Sequence, residues 1–330
     1  MNTEIKDEQR KPRRWLRIVG IVFFALGMIL VILVVIFWRA PIRLAHEINW
    51  LQIYHAGMRS HYASIDGMEI HYLEGGSGDP VVLVHGLGSR AQQDWVKLFP
   101  ILLRSGHHVF AMDLPGYGDS AKPADRTYSI AEQARFVESF FDAMHLDHAA
   151  LGGVSMGGWI SAKVAIDQPK YVSRLVLFDA AGMKFKLSFD PAAFAPETRA
   201  QVDELALVVT SRPSRIPGFV ADDLIRTMRP GNWVIRRAMT SMMTNVDTLE
   251  DSFSSIKSPL LIVWGRDDMI TPLSAAEEMH RDATQSVLEI YDGCGHVALV
   301  ACADRVGPNV VGFLAGSGPQ PGATLEVPKP

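Results

Sequence analysis

The chain has 330 residues, 48% hydrophobic and 21% charged, with a net charge of −4, the profile of a folded protein of one or two domains. Its two cysteines, Cys294 and Cys302, form no C-x-x-C pair, which excludes a disulfide scaffold, an all-cysteine zinc site and an iron–sulfur cluster. Residues 1–60 hold 9 Lys/Arg and 4 Asp/Glu, leaving 23 basic against 32 acidic residues beyond them, and a domain that acidic repels nucleic acid.

The first 17 residues form a basic tail with Lys6, Arg10, Lys11, Arg13, Arg14 and Arg17. Residues 18–38 then run for 21 positions without a charge, long enough at about 1.5 Å per residue to cross a hydrocarbon core of about 30 Å. A transmembrane anchor is the expectation. The run exceeds a signal-peptide h-region, and Arg39, Pro41 and Arg43 follow where a small-residue cleavage site would stand. Since six basic residues precede the span and only two closely follow it, the N-terminus is expected in the cytoplasm and the rest of the chain outside it. Residues 39–60 are a juxtamembrane segment, partly amphipathic, with Trp50 and Tyr54 suited either to the bilayer interface or to a plain connector.

Residues 61–181 and 258–315 carry one alternating pattern. Two short runs around Asp66-Gly67 predict a hairpin, and continuous apolar runs follow at 81–84, 109–112, 149–154, 175–178, 260–264 and 287–291. Runs this short and this apolar fit strands buried on both faces of a parallel sheet. Helical periodicity fills 91–104, 130–144, 156–167, 272–282 and 297–314, so an α/β sheet with helices on both faces is predicted. Between 182 and 257 no strand signal occurs, only amphipathic segments near 197–209, 221–228 and 233–243, which predicts an inserted helical cap. Residues 316–330, rich in Gly and Pro, are expected to be disordered.

In such a sheet the ligand meets the loops at the carboxyl ends of the strands. After the strand at 149–154 comes Gly153-Val154-Ser155-Met156-Gly157-Gly158, a G-x-S-x-G turn between strand and helix. Small neighbours permit a turn tight enough to lift a serine hydroxyl above the sheet, so Ser155 is the candidate nucleophile. Its partners should follow in the order Ser, acid, His. The strand at 260–264 leads into Gly265-Arg266-Asp267-Asp268, and the last predicted strand leads into Asp292-Gly293-Cys294-Gly295-His296. His296, among small residues, is the candidate base. His85-Gly86-Leu87-Gly88 follows the first parallel strand, so the backbone N–H groups of Leu87 and Met156 are the candidate oxyanion hole, with His85 expected to pin the loop.

Together with Asp113-Leu114-Pro115-Gly116-Tyr117-Gly118-Asp119-Ser120, these motifs resemble the α/β-hydrolase family over about residues 60–315. The resemblance implies a mostly parallel eight-stranded sheet with helices on both faces, a cap, and no metal or organic cofactor. In its members the acid occupies the fourth position of the G-x-x-D loop, which points to Asp268 over Asp267. With the anchor in front, the chain is similar to membrane-bound monoacylglycerol lipases and related esterases, which implies a lipid-like ester substrate, a membrane partner and a Ser155–Asp268–His296 triad. Meta-cleavage-product C–C hydrolases and cofactor-free haloperoxidase-like esterases share the same motifs, and a binding protein that has lost turnover is a further alternative. Haloalkane dehalogenases and epoxide hydrolases carry aspartate where Ser155 stands.

Overall fold

The computed structural model describes residues 12–329, so Lys6, Arg10 and Lys11 of the basic tail lie outside them. Helix α1 (Pro12–Arg39) contains a 25-residue stretch, Trp15–Arg39, whose 18-residue apolar window has a mean hydropathy of 3.3 with none of that window buried in the protein. By length and composition it is able to cross a bilayer. Pro41 then starts α2 (Pro41–Ala56), which ends at Gly57 in the left-handed conformation. Proline in the first turn loses no helical hydrogen bond, and glycine after the last turn adopts positive φ without a Cβ clash. One face of this helix packs on the domain, where Ile53 is fully buried and Trp50 lies on the same core, while Ile48, Leu51 and Tyr54 are exposed.

One sheet organises the domain. Strands β1 (Arg59–Ile65) and β2 (Met68–Gly76) form the hairpin, followed by β3 (Pro80–Val84), β4 (His108–Met112), β5 (Ala149–Val154), β6 (Val172–Phe178), β7 (Leu260–Gly265), β8 (Ser286–Tyr291) and β9 (Thr324–Val327). Their order is β1-β2-β4-β3-β5-β6-β7-β8-β9, antiparallel at β1–β2 and β2–β4 and parallel elsewhere. Alternate residues of each strand enter opposite cores: Val82 and Val84 face one, Val81 and Leu83 the other. That is why these strands read as unbroken apolar runs.

The ninth strand corrects two expectations. The sheet has nine strands where eight were predicted, and the tail is not disordered throughout, because residues 324–327 pair in parallel with β8. Leu325 and Val327 pack against the core while Thr324 and Glu326 face outward. Four alternating residues among glycines and prolines carry almost no signal in sequence; the open edge of β8 and the Arg266–Glu326 ion pair at 2.8 Å supply what holds them.

Two predicted helices are each divided. Residues 91–104 form α3 (Ala91–Trp95) and α4 (Phe99–Arg104), with Pro100 in the first turn of the second. Between them and the cap lie α5 (Ile130–Ala143) and α6 (Met156–Asp167). The cap contributes α7 (Arg199–Thr210), α8 (Gly218–Met228) and α9 (Asn232–Met242), and α10 (Leu273–Asp282) follows β7. Residues 297–314 form α11 (Ala298–Ala301) and α12 (Ala303–Leu314), broken at Cys302, which forms a disulfide with Cys294. Two cysteines too few for a scaffold thus still make one local bridge, and it brackets His296.

The cap is fastened at both ends. Leu249 N–H donates to Gly182 O (2.8 Å) and the Trp159 indole to Asp247 O (2.7 Å). On its other side α8 meets the junction of α1 and α2: Ile42 N–H donates to Asp223 (2.9 Å), Arg226 to Arg39 O (2.5 Å), and Trp38 packs on Phe219 with ring centroids 4.4 Å apart. The cap therefore sits directly beside the end of the long apolar helix.

Candidate active site

Ser155 stands between β5 and α6 with φ 53° and ψ −119°, a conformation that side chains rarely adopt. The surrounding glycines explain how the turn is tolerated. A Cβ at Gly153 would strike Gly157 O and Ser161 Oγ, one at Gly157 would strike Val84 O, and one at Gly158 would strike Ala180. Ser155 N–H donates to Phe178 O at 2.9 Å, and Ser155 O receives Ala181 N–H at 3.0 Å, which fixes the turn to the end of β6.

The acid loop and the histidine loop converge from neighbouring strands. His296 Nδ1 and Asp268 Oδ2 are 2.7 Å apart, both side chains almost wholly buried. Asp268 also accepts the N–H groups of Ile270 (2.7 Å) and Thr271 (3.0 Å) and the Thr271 hydroxyl (2.6 Å). A carboxylate accepting this many donors has a fixed orientation, and so has the imidazole bonded to it. The Asp267 side chain forms no hydrogen bond among the described residues; its backbone carbonyl accepts the Ser211 hydroxyl and its N–H donates to Cys294 O at 3.0 Å. Ser155, His296 and Leu87 line one cavity, and no hydrogen bond joins Ser155 Oγ to His296 in this state.

The loop after β3 is held from three sides. His85 Nδ1 donates to Gly86 O (2.8 Å) and its Nε2 accepts Leu114 N–H (3.0 Å), the pinning role expected of it. Buried Asp94 accepts Gly86 N–H (2.9 Å) and the Ser89 hydroxyl (2.6 Å). Asp113 accepts Ala91 N–H (2.8 Å), Asp119 N–H (2.9 Å) and His71 Nδ1 (2.8 Å). Among the described residues, neither Leu87 N–H nor Met156 N–H donates to a protein acceptor, so both are available to a ligand.

Electrostatics distinguish the carboxylates. Burial pushes the Asp94 carboxyl up, partly offset by the Gly86 N–H and Ser89. Burial also acts upward on Asp113, but the hydrogen bond from His71 and the nearby imidazoles outweigh it and hold Asp113 at about 2. For His296, burial acts downward, yet the charge and hydrogen bond of Asp268, with Asp179 behind it, raise the imidazole above its ordinary value.

Asp179 is the residue that the sequence did not reveal. It follows β6, is fully buried, and accepts Gly265 N–H through Oδ1 and Ala298 N–H through Oδ2, each at 2.7 Å. Its backbone N–H donates to Val263 O and its carbonyl accepts the Thr271 hydroxyl. One side chain thus ties the start of the Asp268 loop to the residue two beyond His296. Burial, then the charge of Asp268, raise its carboxyl to about 7. The available signal was an aspartate closing a buried strand, in Phe178-Asp179-Ala180, and only the neighbouring loops give it a partner.

The cavity above Ser155 has a volume of about 1070 Å³. Cap residues such as Leu205, Val209, Met239 and Met242 wall one part of it, and Ile42 and His46 of α2 wall another.

Comparison with known proteins agrees with this architecture. The model of the Alpha/beta hydrolase family matches residues 81–307. A 2-hydroxy-6-oxo-6-(2'-aminophenyl)hexa-2,4-dienoic acid hydrolase of Metapseudomonas resinovorans is 29% identical over 77% of this chain and 90% of its own length. Monoacylglycerol lipase abhd6-B of Xenopus laevis is 23% identical over 78% of this chain and 83% of its own. Among solved structures, a membrane phospholipase A described as a bacterial virulence factor superposes with a TM-score of 0.76 at 28% identity, covering 89% of this chain and 98% of that one. With its family motifs spread over one nine-stranded, mostly parallel sheet, the chain belongs to the alpha/beta hydrolase family.

Proposed function

We propose that the protein is a membrane-anchored serine hydrolase that cleaves carboxylic esters of single-chain lipids such as monoacylglycerols. The observation that carries this reading is the cavity over Ser155, large, walled largely by apolar cap side chains, and reaching α2 next to the long apolar helix. Such a chamber accepts an acyl chain and stands where lipid is concentrated. The likeness to a membrane phospholipase A and to a monoacylglycerol lipase supports the same substrate class.

In this mechanism Ser155 Oγ attacks the ester carbonyl as its proton passes to His296 Nε2. Asp268 holds the Nδ1 tautomer and stabilises the imidazolium. The oxyanion of the tetrahedral intermediate accepts the N–H groups of Leu87 and Met156. Collapse expels the alcohol, which takes the proton from His296, and water deacylates the serine with His296 again as base. The charge bias around the span, with six basic residues before it and two after, favours a cytoplasmic N-terminus and a domain outside it. The Cys294–Cys302 disulfide supports that orientation, because such bonds persist in oxidising compartments. Protease protection of the catalytic domain by an intact cytoplasmic membrane in right-side-out vesicles would reverse it.

The test is an ester panel from acetate to long-chain monoacylglycerols, with the full chain in detergent micelles. Each buried CH₂ contributes up to ~0.8 kcal/mol, about fourfold in kcat/KM, until the cavity ends. Acetate as the best substrate would refute the lipid assignment. A second reading, C–C bond hydrolysis, is favoured by the likeness to the dienoic acid hydrolase; turnover of a vinylogous diketone with no ester cleavage would select it.

A further inference from the structure

The charge lining the cavity runs against that of the domain around it. Acidic residues outnumber basic ones 32 to 23 beyond residue 60, yet among the described residues the cavity is lined by Arg90, Lys122 and Lys186 and by a single carboxylate, Asp94. Asp94 is already committed to Gly86 N–H and Ser89. The cations are therefore not matched by acids within the lining.

Two of them stand by the loop that presents Leu87. Arg90 is loosely paired, its guanidinium 3.5 Å from Asp119, a side chain 53% exposed. The Lys122 ammonium donates to the carbonyls of Gly118 (2.7 Å), Ser120 (3.0 Å) and, at 3.5 Å, Tyr117, and forms no ion pair among the described residues. Burial lowers its amine, and Arg90 is close enough to lower it further, while Asp119 and Asp113 oppose this. His46 of α2 lines the same end; burial, then Arg90, lower its imidazole, while Asp119, Glu47 and Asp223 act upward. A half-buried ammonium bonded to neutral carbonyls beside a guanidinium with a stretched partner has Coulomb attraction left for an anion. A neutral ester uses none of it.

We infer that Arg90 and Lys122 form an anion subsite at the head-group end of the cavity, holding the phosphate of a single-chain phospholipid whose acyl chain lies beneath the cap. This rests on the lipid-ester reading above. Phosphate suits the pair better than carboxylate, because a guanidinium engages two oxygens side by side and a phosphate monoester keeps a third for the lysine. The subsite makes phospholipids, and not only glycerides, substrates of the enzyme.

Binding of non-hydrolysable probes to the full chain in neutral detergent, measured by calorimetry, tests this without relying on turnover. Dodecyl phosphate should bind about tenfold or more tightly than dodecyl glyceryl ether, and the advantage should shrink at high salt and approach unity in Arg90→Gln. Glycerol 3-phosphate, which has the phosphate without the chain, should bind far more weakly than dodecyl phosphate. Lys122→Gln removes the ties to residues 117, 118 and 120 and risks local misfolding; Arg90→Gln and the salt titration of the unaltered protein avoid that risk. Equal binding of the phosphate and the ether would overturn the subsite, as would an advantage that survives Arg90→Gln at low salt. Dodecanoate binding as well as dodecyl phosphate would refute the phosphate assignment. Monoacylglycerol turnover is measured in parallel: its absence with the phosphate advantage intact would overturn the lipid-ester reading and leave the subsite standing.

Discussion

Replacing Asp179 with asparagine preserves the side chain's shape, removes an ionisable carboxyl and turns one acceptor into a donor. Asp179 accepts Gly265 N–H and Ala298 N–H, both at 2.7 Å. The amide oxygen keeps one of these bonds, and the NH₂ group then faces the other N–H, leaving a buried donor without an acceptor at a cost of about 1–3 kcal/mol. For a domain of this size each kcal/mol lowers the melting temperature by about 2–4 °C. The loops carrying Asp268 and His296 lose their shared tie, so kcat should fall about tenfold to a hundredfold while KM changes little. The charge has a separate signature. Asp179, its carboxyl raised to about 7, is part ionised where His296 titrates and is one of the groups raising that imidazole; His296 acts as a base only when neutral, so removing that partial charge extends activity modestly to lower pH. Thermal melts and a kcat/KM–pH profile on a chromogenic decanoate ester read both effects. An acid limb that stays in place or moves to higher pH, with an unchanged melting temperature, would refute the reasoning.

Ser155→Ala should lower ester turnover by about four to six orders of magnitude and abolish covalent labelling by a fluorophosphonate; a mutant that still labels at full strength has its nucleophile elsewhere. Asp268→Asn should cost about 10⁴-fold in kcat, whereas Asp267→Asn, whose side chain forms no described hydrogen bond, should stay within about threefold; the reverse ranking moves the acid one residue back. In the unaltered enzyme the acid limb of kcat/KM should lie above the ordinary histidine value of 6.5, because Asp268 raises His296 more than burial lowers it; a midpoint below 6.5 contradicts that balance. Reducing the Cys294–Cys302 bond, with a sequence separation of 8, should destabilise the protein by about 2.5 kcal/mol through regained chain entropy. A melting curve indifferent to reductant would show that the bridge contributes nothing.

What the sequence by itself determined was whatever local chemistry writes into adjacent residues. The apolar helix is legible because an uninterrupted apolar run long enough to cross a bilayer is written in adjacent residues. The six parallel strands are legible because burial on both faces demands unbroken apolar residues, and the Ser155 turn because its geometry demands glycines at 153 and 157. The order of Ser155, Asp268 and His296 could be read off the loops after successive strands. The tertiary structure alone decided the rest, since each remaining feature depends on a partner distant in the chain. Thr324–Val327 becomes a strand only against the open edge of β8. Asp179 becomes a hub only where Gly265 and Ala298 bring their N–H groups to it. The disulfide forms because the break at Cys302 returns that residue to Cys294, and Arg90 and Lys122, 32 residues apart in the sequence, share one end of a cavity only after β3 and β4 pair side by side.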